Sequence, residues 1–301
     1  MALKQVKNKI ISTKKTGQVT KAMESVSAVK MRKAQERAFA GRPYVHAAMR
    51  ILSRLASSPD LRHSNYTTKK EEGKRILVIV TSDKGLAGSV NSAVIKKAEE
   101  VVHKYRAEIE VICIGRKAGD FARREKLEII EEHNNVSDAV TMADIYEMSK
   151  VILDRFNTGA YKEIEIIYQN FLSTFEQLPT KRTILPLDPA EIHYILRGIR
   201  PKKGKFSEEI EPATAIVSYT IEPSAEEVLK SLIPRLIEII IYHALLESKA
   251  SEHSARMVAM KNATDKSKEV IKALTIKYNK ARQTAITAEV SEITAGVEAM
   301  K

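Results

Sequence analysis

The sequence predicts an α/β protein in which two long terminal helices form an antiparallel coiled coil and flank a central α/β domain. Three observations carry this expectation. Glycine and proline are scarce, at 11 and 9 in 301 residues, and aromatic residues make up 5% with no Trp, which disfavours a fold of many short strands. Both ends repeat small and apolar residues at helical spacing. The middle alternates continuous β-branched runs with amphipathic stretches. The divisions that follow are an N-terminal coiled-coil helix over 1–58, a central domain over 59–224 and a C-terminal coiled-coil helix over 225–301.

Between Leu3 and Ser58 no proline occurs before Pro43, and only Gly17 and Gly41 interrupt. Alternate steps of three and four land on Leu3, Val6, Ile10, Thr13, Gly17, Thr20, Glu24, Ser27, Met31, Ala34 and Ala38, a coiled-coil seam built from small and polar residues instead of Leu and Ile. A bend is expected at Gly41-Arg42-Pro43, because proline disfavours helical geometry in the residue before it, and Ser57-Ser58-Pro59-Asp60 reads as a stop. At the other end Glu226-Glu227 start a helix after Pro223-Ser224, where the helix dipole favours acids. Beyond Pro234 the only glycine is Gly296, and the same stepping gives Met257, Met260, Thr264, Ser267, Ile271, Leu274, Tyr278, Ala281, Ala285 and Ala288 without a charge. Helices of ~80 and ~100 Å cannot fold back within a domain whose radius of gyration is ~15 Å, so the two seams are expected to pair with each other.

The middle reads as a Rossmann-like α/β domain with an open sheet. Arg75–Thr81 is a continuous apolar run, as in a buried parallel strand, and further strands are expected at Ile109–Gly115, Glu163–Asn170, Phe175–Ile184 and Ala213–Ile221. Helices are expected through Tyr105 and around Ser137–Phe156, and Leu196–Glu211 has the composition of a mobile loop.

Charge is unevenly placed. Up to Arg54 there are thirteen Lys and Arg against Glu24 and Glu36, which accounts for nearly all of the formal +12 of the chain. Such a segment suits a solvated helix face, nucleic acid, an anionic membrane or an acidic protein partner. The most apolar stretch, Leu232–Leu246, is broken by Pro234, Arg235 and Glu238 and falls short of the ~20 residues that a bilayer crossing needs. The N-terminus has no apolar core with a cleavage site, so no targeting segment is expected. A single cysteine, Cys113, excludes an internal disulfide and fits a reducing compartment.

The residues make no case for catalysis. The turn Thr81–Gly88 (TSDKGLAG) joins a strand to a helix, but Gly85 and Gly88 give neither GxGxxG nor a Walker pattern, so a tight turn is expected in place of a phosphate cradle. Asp83 stands at a strand end, where a general base could sit, with no second acid or nucleophile fixed nearby. The seven histidines lack metal-binding spacing, and Cys113 reads as a small core residue. No cofactor and no metal is expected.

Three segments, Ile10–Met31 (IISTKKTGQVTKAMESVSAVKM), the turn TSDKGLAG and the tail from Asn279 (NKARQTAITAEVSEITAG), resemble the gamma-subunit family of F-type ATP synthases, in the expected order and across the whole chain. The family's tail usually has Gly-Ala near its end, whereas Gly296 is followed here by Val297, and the cysteine-bearing insertion of chloroplast members is absent. The resemblance implies a central rotor shaft, without active sites of its own, that couples proton flow to ATP synthesis or hydrolysis. Its partners would be the alpha and beta subunits of the catalytic ring, the epsilon subunit and the c-ring. It would sit as a peripheral protein at the cytoplasmic face of the bacterial inner membrane, associated with the membrane through the complex only and with no nucleic acid.

The resemblance also implies beta-subunit contacts at Met23, Arg282, Gln283, Thr287 and Glu289. Arg282 and Gln283 match a pair that hydrogen-bonds a beta loop, and the tail beyond Thr287 matches a segment held in the ring's apolar sleeve. The basic N-terminal helix would face an acidic beta segment. Two rivals stand beside this reading: a nucleic-acid binder that uses the basic helix, and a nucleotide-dependent enzyme built on the sheet.

Overall fold

The structure is a computed structural model that describes residues 3–40, 65–187 and 224–300. The chain divides into two compact units, one of Met1–Ser27 with Met257–Lys301 and one of Ala28–Arg256. The expected bend at 41–43, the stop at 57–60, the loop at 196–211 and the strand at 213–221 lie outside the described residues.

The elements are α1 (Leu3–Ala40), β1 (Lys74–Val80), α2 (Val90–Tyr105), β2 (Ile109–Ile114), α3 (Arg116–Arg124), β3 (Glu128–His133), α4 (Met142–Asn157), β4 (Tyr161–Phe171), β5 (Gln177–Leu185) and α5 (Ala225–Ala299). The last is one helix of 75 residues that contains Pro234. It starts after Ser224 as the sequence predicts, and the Ser224 hydroxyl caps it by accepting from the Glu227 N–H at 3.2 Å.

Five strands form one sheet in the order β3-β2-β1-β4-β5. The first four are parallel, and β5 pairs antiparallel to β4. Side chains alternate between the two faces of each strand. Leu77, Ile79, Val111 and Cys113 pack against α2 and α3 through Val94, Val102, Phe121 and Ala122. Ile76, Val78, Ile112, Ile114 and Ile166 pack on the other face against α4 and the start of α5, through Ile145, Ile152, Phe156, Ile237 and Leu245. Right-handed crossovers explain the division. The strand order runs outward through β2 and β3 and then returns past β1 to β4, which moves α4 to the opposite face.

Two elements escaped the sequence reading. Helix α3 has only nine residues, and β3 (EIIEEH) is an acidic edge strand without the alternation of a buried one. The turn between β2 and α3 demands glycine. Gly115 has φ +91°, and a Cβ there would lie 2.2 Å from the Thr81 carbonyl oxygen. Helix α4 begins at Met142 and not at Ser137, because Thr141 and Asp144 form a reciprocal capping box that fixes its first turn.

Candidate partner-contact surfaces

In the two-helix unit, no residue of the predicted α1 seam is exposed. The Thr20 and Thr264 hydroxyls lie 2.7 Å apart, and a Cβ added to Gly17 would stand 3.3 Å from the Ser267 Cβ. Pairing of 17 with 267 and of 20 with 264 makes the helices antiparallel. Small side chains let the backbones approach, and the hydroxyls stay satisfied inside their own helices: Thr20 donates to the Gly17 carbonyl, Thr264 to Met260 and Ser267 to Ala263. Met23 is half-buried beside this seam, while Lys4, Lys7, Lys9, Lys14 and Lys15 are exposed.

The register brings α1 to its end opposite Ala281. The α5 seam is therefore covered from Met257 to Ala281 but exposed at Ala285 and Ala288, a correction to the seam read from spacing alone. Every residue from 282 to 300 is exposed. Ile286, Val290, Ile293, Val297 and Met300 form a stripe along one side of this length, each at least half exposed. Arg282 continues the stripe one turn earlier, Gln283 and Thr287 flank one edge, and Glu289 lies on the other. The Thr287 hydroxyl donates to the Gln283 carbonyl at 2.9 Å, so it offers a partner only acceptor capacity. This continuous apolar stripe lies beside acids, with no basic residue between Arg282 and Lys301.

The second unit shows what the sheet does. Open α/β sheets bind ligands beyond the carboxyl ends of their strands, where the strand order reverses, here between β1 and β4. That crevice is filled by α5 through Leu245, Ser248, Lys249 and Glu252, which leave a cavity of about 10 Å³, room for one water. Ser248 accepts from the Gln169 N–H at 3.1 Å, Ser251 donates to the Gln169 carbonyl at 3.2 Å, and Ser254 donates to the Thr174 carbonyl at 2.6 Å. These serines recur every three residues along one side of α5 and dock β4 and its following turn. Their spacing was visible in the sequence, but nothing there named their partners.

Asp83 is engaged by backbone groups. Its carboxylate accepts from the backbone N–H groups of Arg116 and Asn135, both at 3.0 Å, and so ties three loops together. The TSDKGLAG turn is tight, as predicted. Ser82 donates to the Lys84 carbonyl at 2.7 Å, the Asn91 side chain accepts from the Ser82 N–H, and Leu86 and Gly88 take positive φ. Cys113 is fully buried, and burial pushes its thiol up to about 12. Glu110, Lys74 and Tyr161 form a polar knot near the start of the sheet. Burial opposes ionisation of Glu110, yet hydrogen bonds from Lys74 and Tyr161 outweigh it and hold the carboxyl below its usual range.

Residues 2–300 match the family described as ATP synthase. The ATP synthase gamma chain of Roseiflexus castenholzii is 38% identical over 302 residues, covering 99% of this chain and 98% of the relative. That of Heliobacterium modesticaldum is 37% identical over 300 residues, covering 99% of each. Among solved structures, the rotor of Euglena gracilis mitochondrial ATP synthase superposes with a TM-score of 0.60 at 16% identity, covering 94% of this chain and 98% of that one. The central stalk/c-ring structure of the Tetrahymena thermophila mitochondrial enzyme also gives 0.60, at 23% identity, covering 81% and 99%. At such identities the structures speak for the fold alone. The nucleic-acid reading finds no support among these relatives.

Proposed function

Because the chain belongs to the ATP synthase gamma-chain family, we propose that it is the central rotor shaft of an F-type ATP synthase. In this role it carries work between ion flow in the membrane sector and nucleotide chemistry in a ring of alpha and beta subunits. The chain itself performs no catalysis, and the active sites lie on the beta subunits. The observation that carries the reading is the helix pair, with its slim small-residue seam and a C-terminal helix that outruns its partner.

A shaft works on the ring by favouring different conformations of each beta subunit as it turns. It does so only to the extent that its contacts with those conformations differ in free energy. Met23, Arg282, Gln283, Thr287 and Glu289 supply such contacts. The Arg282 guanidinium suits a carboxylate or carbonyl on a beta loop. The stripe from Ile286 to Met300 suits an apolar sleeve, and the lysines of α1 an acidic beta segment. Exposed ion pairs of about 0–1 kcal/mol each guide rotation without arresting it. The other partners are the epsilon subunit and the c-ring, and the complex holds the chain at the cytoplasmic face of the bacterial inner membrane. No helix among the described residues is long and apolar enough to cross a membrane.

Co-purification tests the proposal. An affinity tag on this chain should bring down alpha and beta chains in a complex that hydrolyses ATP, while the isolated chain hydrolyses none. Recovery of the chain without them from gently solubilised membranes would contradict it.

A further inference from the structure

Close packing holds a helix against a sheet, and hydrogen bonds, being directional, add to its resistance against rolling about its own axis. A shaft needs bonds that fix its rotational phase. For α5 these are plentiful: Ser248, Ser251 and Ser254 bond β4 and its turn, Lys249 donates to the Val136 carbonyl at 2.9 Å, and Arg256 to the Gly85 carbonyl at 3.2 Å. The part of α1 in the same unit is held differently. Its buried contacts there are small, with Ala34 against Phe171 and Ala250, and Ala38 against Leu246. Among the described residues, its hydrogen bonds to the rest of the unit both end on Asp138. Lys30 donates to the Asp138 carboxylate at 2.7 Å, and Arg37 donates to the Asp138 carbonyl at 2.8 Å.

The same carboxylate meets α5. The His253 ring nitrogen Nε2 lies 2.9 Å from Oδ1, and Lys249 Nζ lies 3.8 Å from it. Asp138 itself is anchored, since the next residues lead through the buried Val140 into the capping box of α4. We propose that Asp138 is a positioning residue for torque transfer: its carboxylate joins α1 to the well-fixed α5 and its carbonyl holds α1 a second time, so that α1 does not turn about its own axis. The inference rests on the rotor-shaft reading. The hydrogen bond from His253, acting against burial and aided by Lys30 and Lys249, holds the Asp138 carboxyl far below its usual range. The tie therefore stays charged at any working pH.

The test uses the assembled complex, immobilised through its ring, with a probe on the sheet-bearing unit. While the complex waits for ATP, the angular variance of the probe reports torsional stiffness. In Asp138→Asn, which keeps the shape and loses the charge, the variance should rise about twofold while assembly and ATP hydrolysis are retained, because a charge-assisted network loses its centre. Lys97→Met cuts an exposed ion pair with Glu100 on α2, away from the tie, and should leave the variance at the parental level. If Asp138→Asn does not assemble, Lys30→Met, which cuts only the α1 arm, is read in the same way. An unchanged variance in the tie variant, or an equal rise in Lys97→Met, overturns the proposal. A parent complex whose probe never rotates on ATP overturns the shaft reading, and the proposal with it.

Discussion

At the scale of single residues, Cys113 is held by packing and Asp83 and Asp138 by hydrogen bonds within the fold. Cys113 could be read from the sequence because its neighbours in Val111–Gly115 are those of a buried strand. With its thiol raised to about 12 and no exposure, it should resist iodoacetamide at pH 8 in the folded protein and react only after denaturation, as followed by mass. Rapid labelling of the native protein would contradict that placement. Asp83 was not legible in the same way, since the N–H groups that occupy it come from Arg116 and Asn135, far along the chain. Nor was Asp138, whose partners Lys30 and His253 lie more than a hundred residues away on either side.

The proposed partner-contact residues make separable predictions at this scale. Met23→Lys places a long cation beside the seam, where it can hold acidic beta groups too firmly. Ion pumping per ATP should fall while hydrolysis continues, as read by proton uptake in inverted vesicles. Arg282→Leu removes a forked donor from an exposed helix face, so assembly yield or turnover should fall although the chain itself stays folded. Parental coupling in the first variant, or parental yield and rate in the second, removes that residue from the contact surface.

At the scale of elements, the seams were legible because side-chain burial follows a fixed helical period, and no predicted position of α1 proved exposed. What spacing cannot show is where a partner stops. Ala285 and Ala288 continue the α5 pattern but face solvent, because α1 has ended. Helix α3 and strand β3 were missed for a related reason. The first is too short to establish a period, and the second is a charged edge. The register itself can be tested by a Gly17→Cys and Ser267→Cys pair. The expected 3.3 Å between Cβ positions is close to the separation in a disulfide, which is ~3.5–4.5 Å. Mild oxidation should form the bond within one chain and protect both thiols from labelling. Thiols that stay free after oxidation would mean that the helices pair in another register, or not at all.

At the scale of the whole molecule, charge and packing point the same way. Most of the basic excess sits on α1, the acid-flanked apolar stripe on the end of α5, and the crevice where an α/β sheet would hold a ligand is filled by the chain's own helix. With that crevice filled and the end of its longest helix exposed, the chain is proposed to act through what it touches. Motion of the chain inside the working complex tests this most directly. With the ring fixed to a surface and a bead on an exposed Ser92→Cys, ATP should drive the bead through full turns in one direction. A bead that stays still while the same complexes hydrolyse ATP would contradict the rotor account.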